Sequence, residues 1–150
     1  MKTNFFNLLG LFIVMLFMAC DKETIDDQVT SADVSEIKLM IIDGEWKVTR
    51  YFDDIDETSN YTGFVFDFGQ DGVLGASNGN IASSGSWSID FDSSNDSESD
   101  VDFNIFFTNP DVLEELTEDW DIVSYSDTKI ELKDVSGGDG SLNFLTLEKI

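Results

Sequence analysis

The sequence predicts an all-β domain, an eight-stranded antiparallel up-and-down barrel with a short helix before the first strand. Apolar and polar residues alternate in eight short segments, which is the period of half-buried strands. Hairpin-length turns separate the segments, and no spacing fits a β-α-β unit. The chain has 13 Phe and 3 Trp, which suit pleated surfaces. The pattern also fits a sandwich, but closure into a barrel leaves no unpaired strand edge.

The first of the eight strands is predicted over residues 45–52, with Trp46, Val48 and Phe52 on the inner face and Tyr51 on the outer face. In the sixth strand, predicted over residues 119–125, Trp120 faces inward and Tyr125 outward. Between strands, Asn-Pro predicts a helical turn over 110–116, with the proline in its first position. The other strands are predicted at 61–68, 73–76, 85–91, 101–107, 129–134 and 142–149.

The beginning of the chain predicts a leader and an attachment point. Residues 5–19 are apolar except for one Asn, a run of about 15 residues, whereas a membrane span needs about 20. We therefore predict a signal peptide over 1–19. The end of this run, Leu16-Phe17-Met18-Ala19-Cys20, resembles the lipobox of bacterial lipoproteins. The resemblance implies that Cys20 is acylated and begins the mature chain. The alternative is a thiol buried in an N-terminal helix.

The residues after Cys20 predict an export signal and a tether. Asp21-Lys22-Glu23 resembles the signal that follows the lipidated Cys in lipoproteins of the Bacteroidota. That resemblance implies an outer-membrane protein, lipid-anchored and displayed on the cell surface. Residues 20–35 are polar and acidic, as expected of a flexible tether. A short helix capped by Ser31 or Asp33 begins near the end of this segment, and Asp43-Gly44 ends it.

Charge and composition exclude several functions. The chain has 31 acidic and 8 basic residues, a net charge of −23, so nucleic acid is a poor partner. It has no His and one Cys, which excludes Ser-His and Cys-His catalysis and a disulfide within the chain. The acidic segment 92–100 lacks the spacing of an EF-hand loop, so a solvated loop is favoured over a Ca²⁺ site. We predict no metal, no cofactor and no enzymatic activity.

Several motifs, taken in their order along residues 37–150, resemble the lipocalin-like domains of bacterial lipoproteins. We place the domain at 36–150. The resemblance implies an eight-stranded barrel whose open mouth takes a small apolar ligand, with Gly44 and Trp46 closing the other end. The motifs are Gly44-x-Trp46, Phe64-x-Phe66-x-x-x-x-Asp71-Gly72, Gly85-x-Trp87-x-Ile89, the segment from Asp119 to Leu132, and Leu145-Thr146-Leu147-Glu148-Lys149.

The predicted function follows from the barrel interior. Six apolar residues alternate toward one face and are the candidate ligand contacts, so a lipid-anchored lipoprotein that binds a small lipophilic molecule is one expectation. Side chains alone can fill an eight-stranded barrel, however, and the abundance of Phe favours a filled or narrow interior. A filled barrel would instead be a structural module, or one that contacts another envelope protein. The six candidates are Phe64, Phe66, Trp87, Phe103, Ile105 and Trp120.

Overall fold

The structure, a computed structural model, describes residues 29–91, 101–135 and 140–150. These residues form the predicted closed antiparallel barrel of eight strands, extended by a two-residue strand, β2. The predicted fold class is confirmed. The signal peptide, Cys20 and the acidic segment 92–100 lie outside the described residues. The strands are β1 (Glu45–Asp53), β2 (Ile55–Asp56), β3 (Val65–Phe68), β4 (Val73–Ser77), β5 (Ala82–Phe91), β6 (Val101–Phe106), β7 (Glu118–Ser126), β8 (Lys129–Val135) and β9 (Leu142–Lys149).

The first strand closes the barrel. From β3 to β9 each strand pairs with the next along the chain, and β9 then pairs with β1, for example Val48 opposite Leu147. On its other side β1 pairs with β3, where Trp46 lies opposite Phe66, and with β2. Because both sides of β1 are paired, the eight barrel strands expose no continuous edge for pairing with another chain.

A β-bulge in β1 reverses the predicted faces of two aromatic residues. The pairing with β9 shifts between Val48 and Arg50. An extra residue in a strand moves the following side chains to the opposite face. Tyr51 is therefore buried, with 3% of its surface exposed, whereas Phe52 lies outside against Phe144. The prediction that Phe52 faces inward and Tyr51 outward was wrong.

A second bulge has the same effect in β7. The pairing with β8 shifts between Ile122 and Ser124, and Val123 is left 38% exposed. Tyr125 consequently turns inward and is buried, contrary to the prediction. Its hydroxyl donates a hydrogen bond to the carboxylate of Asp33, 2.9 Å away, and so reaches the helix before the barrel. Each bulge thus turns one tyrosine into the interior, Tyr125 at the end next to the helix before the barrel and Tyr51 at the opposite end.

The helix α1 (Ser31–Ile41) precedes β1 and begins with a capping box. The cap is Thr30, and not Ser31 or Asp33 as predicted. The Thr30 hydroxyl accepts from the Asp33 backbone N–H, and the Asp33 carboxylate accepts from the Thr30 N–H, so two otherwise unpaired donors are satisfied. The helix therefore begins within the segment predicted to be a tether, 20–35.

Two short helices lie at the opposite end of the barrel from α1. The 3₁₀ helix Thr58–Tyr61 ends at the first residue of the predicted strand 61–68, a turn follows, and the strand begins only at Val65. The helix α2 (Asp111–Glu114) lies between β6 and β7, in the region predicted to be helical. Pro110 is its capping residue and not its first residue.

Candidate functional site

The barrel interior is lined by stacked aromatic rings. Trp87 and Phe103 stack with centroids 6.0 Å apart, and Phe68 is T-shaped to both, with centroids 5.5 and 5.8 Å away. Such edge-to-face pairs stabilise a core beyond the apolar area they bury. Phe68 was not among the six candidates, although its alternation with Phe64 and Phe66 indicated an inward position.

All six candidate ligand contacts are buried. A side chain that borders a space wide enough for water keeps exposed surface there, and these six keep almost none. The structure therefore brings them together as a packed core. Their exposed fractions are Phe64 3%, Phe66 1%, Trp87 8%, Phe103 0%, Ile105 4% and Trp120 0%.

Trp46 lies beneath α1 at one end of the barrel. Its ring is fully buried, and its indole N–H donates a 2.8 Å hydrogen bond to the carbonyl oxygen of Ile41 in the last turn of the helix. The helix packs on the same core through Ile37 and Ile41, both 0% exposed. The helix and the indole together cover this end.

The connection from α1 to β1 requires a glycine. Gly44 has a φ of +104°, which side chains disfavour, and an added Cβ would lie 2.8 Å from the Lys149 side chain. The Lys149 ammonium lies 2.8 Å from the carboxylate of Asp43. This hydrogen bond lowers the pKa of Asp43. The contact between Lys149 and Asp43 joins the end of β9 to the turn after α1.

The opposite end, where a lipocalin-like barrel would open, is also covered. The Tyr51 hydroxyl donates a 2.7 Å hydrogen bond to the carbonyl oxygen of Glu115, just after α2. The rings of Tyr61 and Tyr51 pack in a T-shaped arrangement, with the centroids 5.0 Å apart. Burial raises the pKa of both tyrosines, and the nearby carboxylates raise it further. Both hydroxyls are protonated at neutral pH, as at the ordinary tyrosine pKa of about 10, and can donate hydrogen bonds.

The residues that follow α2 complete this cover. Leu113 and Leu116 are 0% and 1% exposed. The Trp120 indole N–H donates to the Leu116 carbonyl oxygen at 3.1 Å. The Thr117 hydroxyl bonds to both the N–H and the carbonyl of Phe107, at 2.9 and 3.0 Å, which joins the two ends of the segment that carries α2.

Two carboxylates at this end have a raised pKa. Loss of hydration raises the pKa of Glu115, and the charge of Glu57 raises it further. Loss of hydration likewise raises the pKa of Glu118, and the charge of Asp134 is the next largest cause.

Within the described ranges, no group of three or more acidic or Cys side chains is placed to hold a metal ion. In the same ranges, no helix combines the length and the apolar character that crossing a membrane requires.

A concave groove lies outside the barrel core, between α1 and the turn that joins β3 to β4. Its volume is about 290 Å³, and its walls combine apolar and polar side chains. No sequence pattern marked it, because its walls come from a helix, a turn and a strand that are distant along the chain. The residues that line it are Lys38, Leu39, Ile42, Gln70 and Trp87.

Comparisons with known proteins add no assignment. No protein-family model matches the chain, and no curated protein matches it either. The fold and the geometry of its interior, ends and surface are therefore the basis for a functional proposal.

Proposed function

We propose that this protein is a lipid-anchored, non-catalytic module of a bacterial cell envelope, with a barrel that is filled by its own side chains. It acts through its outer surface, and its partner is another component of the envelope. The observation that carries this proposal is the burial of all six interior candidates, at 8% exposure or less. A lipophilic ligand at that place would have to displace the stacked rings of Trp87 and Phe103.

The coverage of both ends supports the same conclusion. An apolar ligand enters a barrel through a mouth, and small-molecule sites are usually preformed concavities. Here α1 and Trp46 cover one end, and the α2 segment is hydrogen-bonded over the other through Tyr51. The hypothesis of a lipophilic ligand in the barrel stays a prediction, and the experiment below separates it from the filled barrel.

The interior is tested by creating a cavity on purpose. Phe103→Ala should destabilise the fold by about 3–5 kcal/mol and leave an apolar void that binds benzene. Benzene should therefore raise the melting temperature of this variant and leave that of the unaltered protein unchanged, because a ligand stabilises only a state that binds it. Phe103→Leu provides a smaller void if the alanine variant does not fold. Stabilisation of the unaltered protein by benzene would contradict the filled barrel.

The anchor is tested separately at Cys20. The lipobox-like context of this residue supports outer-membrane attachment through acyl chains, with the domain displayed on the cell surface. Cys20→Ala should prevent acylation and shift the protein from the membrane fraction to a soluble or unprocessed form. Thr24→Ala, in the adjacent polar segment, is the matched control and should remain in the membrane fraction. Membrane retention of the Cys20 variant would contradict the lipid anchor.

A further inference from the structure

We propose that the groove between α1 and the β3–β4 turn binds a small monocarboxylate with an apolar body. The groove shares Trp87 with the barrel core, but its other lining residues lie on or just after α1 and in the β3–β4 turn, and the inference does not depend on whether the barrel is filled. It follows from the shape of the groove, from the rigidity of its walls and from one lysine.

The groove has the size and lining of a small-ligand site. Its volume of about 290 Å³ corresponds to about ten water molecules at about 30 Å³ each. Known ligand pockets begin at about 300 Å³ and combine mostly apolar walls with a few polar groups. Leu39, Ile42 and Trp87 supply the apolar surface here. Leu39 is 70% exposed, so covering it would remove unfavourable contact with water.

The walls of the groove are held in place before any ligand arrives. The Trp87 indole N–H donates a 2.9 Å hydrogen bond to the Gly69 carbonyl, and the Trp87 backbone N–H donates to the Gly72 carbonyl at 2.9 Å. The turn is thus fixed to β5 at two points. On the other side, the carbonyl of Ile41, next to Ile42, accepts the indole N–H of Trp46. A preformed site avoids the entropic cost of ordering its walls on binding.

Lys38 defines the charge of the ligand. Among the residues that the structure describes, this lysine has no ion-pair or hydrogen-bond partner. Its ammonium and the amide of Gln70, the polar side chains of the groove, can both donate to a carboxylate. The net charge of −23 repels anions at longer range, so a second negative charge on the ligand would be unfavourable. A single carboxylate on an apolar body fits these conditions.

The test uses 4-phenylbutyrate and its neutral amide as probes on the full-length protein. All three tryptophans emit, but Trp87 lines the groove whereas Trp46 and Trp120 are fully buried, so a ligand in the groove should change mainly the emission of Trp87. The acid should produce a saturable change in emission, with a dissociation constant of the order of 1 mM for a ligand of this size. The amide should bind about three- to five-fold more weakly, as expected for loss of an exposed ion pair.

Four variants separate this site from others. Lys38→Gln should weaken binding of the acid about three- to five-fold, to the level of the amide, and Lys38→Arg should restore it. Lys47→Gln, an exposed lysine of β1 outside the groove, is the matched control and should leave binding unchanged. Trp87→Phe should remove the ligand-dependent change in emission, while the emission of Trp46 and Trp120 remains. Absence of saturable binding, equal affinity for acid and amide, or full affinity in Lys38→Gln would overturn the proposal.

Discussion

The hydroxyl of Tyr51 donates a 2.7 Å hydrogen bond to the backbone carbonyl of Glu115, 64 residues further along the chain. This bond joins β1 to the segment after α2 and so fastens the cover over one end of the barrel. Tyr51 is buried there only because the bulge in β1 turns it inward.

Tyr51→Phe should cost about 1–2 kcal/mol of the free energy of unfolding, because the Glu115 carbonyl loses its donor while the ring still packs. The amides of Leu113 and Leu116 should exchange faster with solvent, since the segment opens locally. Tyr61→Phe is the control. Its hydroxyl lies 3.5 Å from the Glu115 carboxylate, a weaker contact, so the loss should be smaller. A larger effect at Tyr61 would contradict the assigned role.

Gly85→Ala should destabilise the protein severely, by about 1–3 kcal/mol or more. An added Cβ would lie 2.2 Å from the Phe106 carbonyl oxygen and 2.7 Å from the Phe107 ring, so β5 and β6 would have to separate. Gly75→Ala is the matched control on β4, where the nearest atom lies at an ordinary 3.8 Å. Chemical denaturation should show a large loss for the first variant and little change for the second. Equal free energies of unfolding for the two variants would show that the close approach of β5 to β6 at Gly85 is not required.

Trp46→Ala should destabilise by about 3–5 kcal/mol, because a fully buried ring is removed and the Ile41 carbonyl loses its donor. Trp46→Phe retains most of the apolar contact and should cost less, which separates packing from the hydrogen bond. Thermal unfolding of both variants measures the difference. An unchanged melting temperature in the alanine variant would contradict the assignment of Trp46 to the covered end.

Stability should also depend on pH through Glu115. Its pKa is raised in the folded state, so its ionisation opposes folding above that pKa, and the penalty disappears as the pH falls below the unfolded value of about 4.3. Glu115→Gln should therefore be more stable than the unaltered protein at pH 7, by at most about 0.5 kcal/mol because the side chain is exposed. The difference should close below about pH 4.

The control for this pH dependence is Glu114→Gln, which changes the neighbouring exposed carboxylate of α2. Denaturation of both variants and of the unaltered protein between pH 4 and 7 measures the free energy of unfolding. A Glu115→Gln effect that is constant across this range, or that grows as the pH falls, would contradict the assignment.

The sequence predicted the eight strands and most inward residues because alternation is a local signal. Phe64, Phe66 and Phe68 alternate without interruption, and all three are buried as expected. Tyr51 and Tyr125 were misplaced because a bulge depends on how two strands pair, and the pattern within one strand does not reveal it.

The ends of the barrel and the groove were predicted less well for a related reason. The cover over the predicted mouth depends on contacts between β1 and the residues after α2, which are far apart in sequence. The groove joins Lys38 on α1 to Gln70 in a turn and Trp87 on β5. Lys38 carries no local signal, since an exposed helical lysine usually indicates only a solvated surface.

Native mass spectrometry of the protein extracted from its own host tests the filled barrel most directly. The account predicts the mass of the acylated chain beginning at Cys20, with no apolar molecule retained when solvent adducts are removed by gentle activation. Phe103→Ala, expressed in the same host, is the comparison and should retain small apolar molecules if its cavity is accessible. Repeated recovery of the unaltered protein with one lipophilic molecule bound at a fixed ratio would contradict the account.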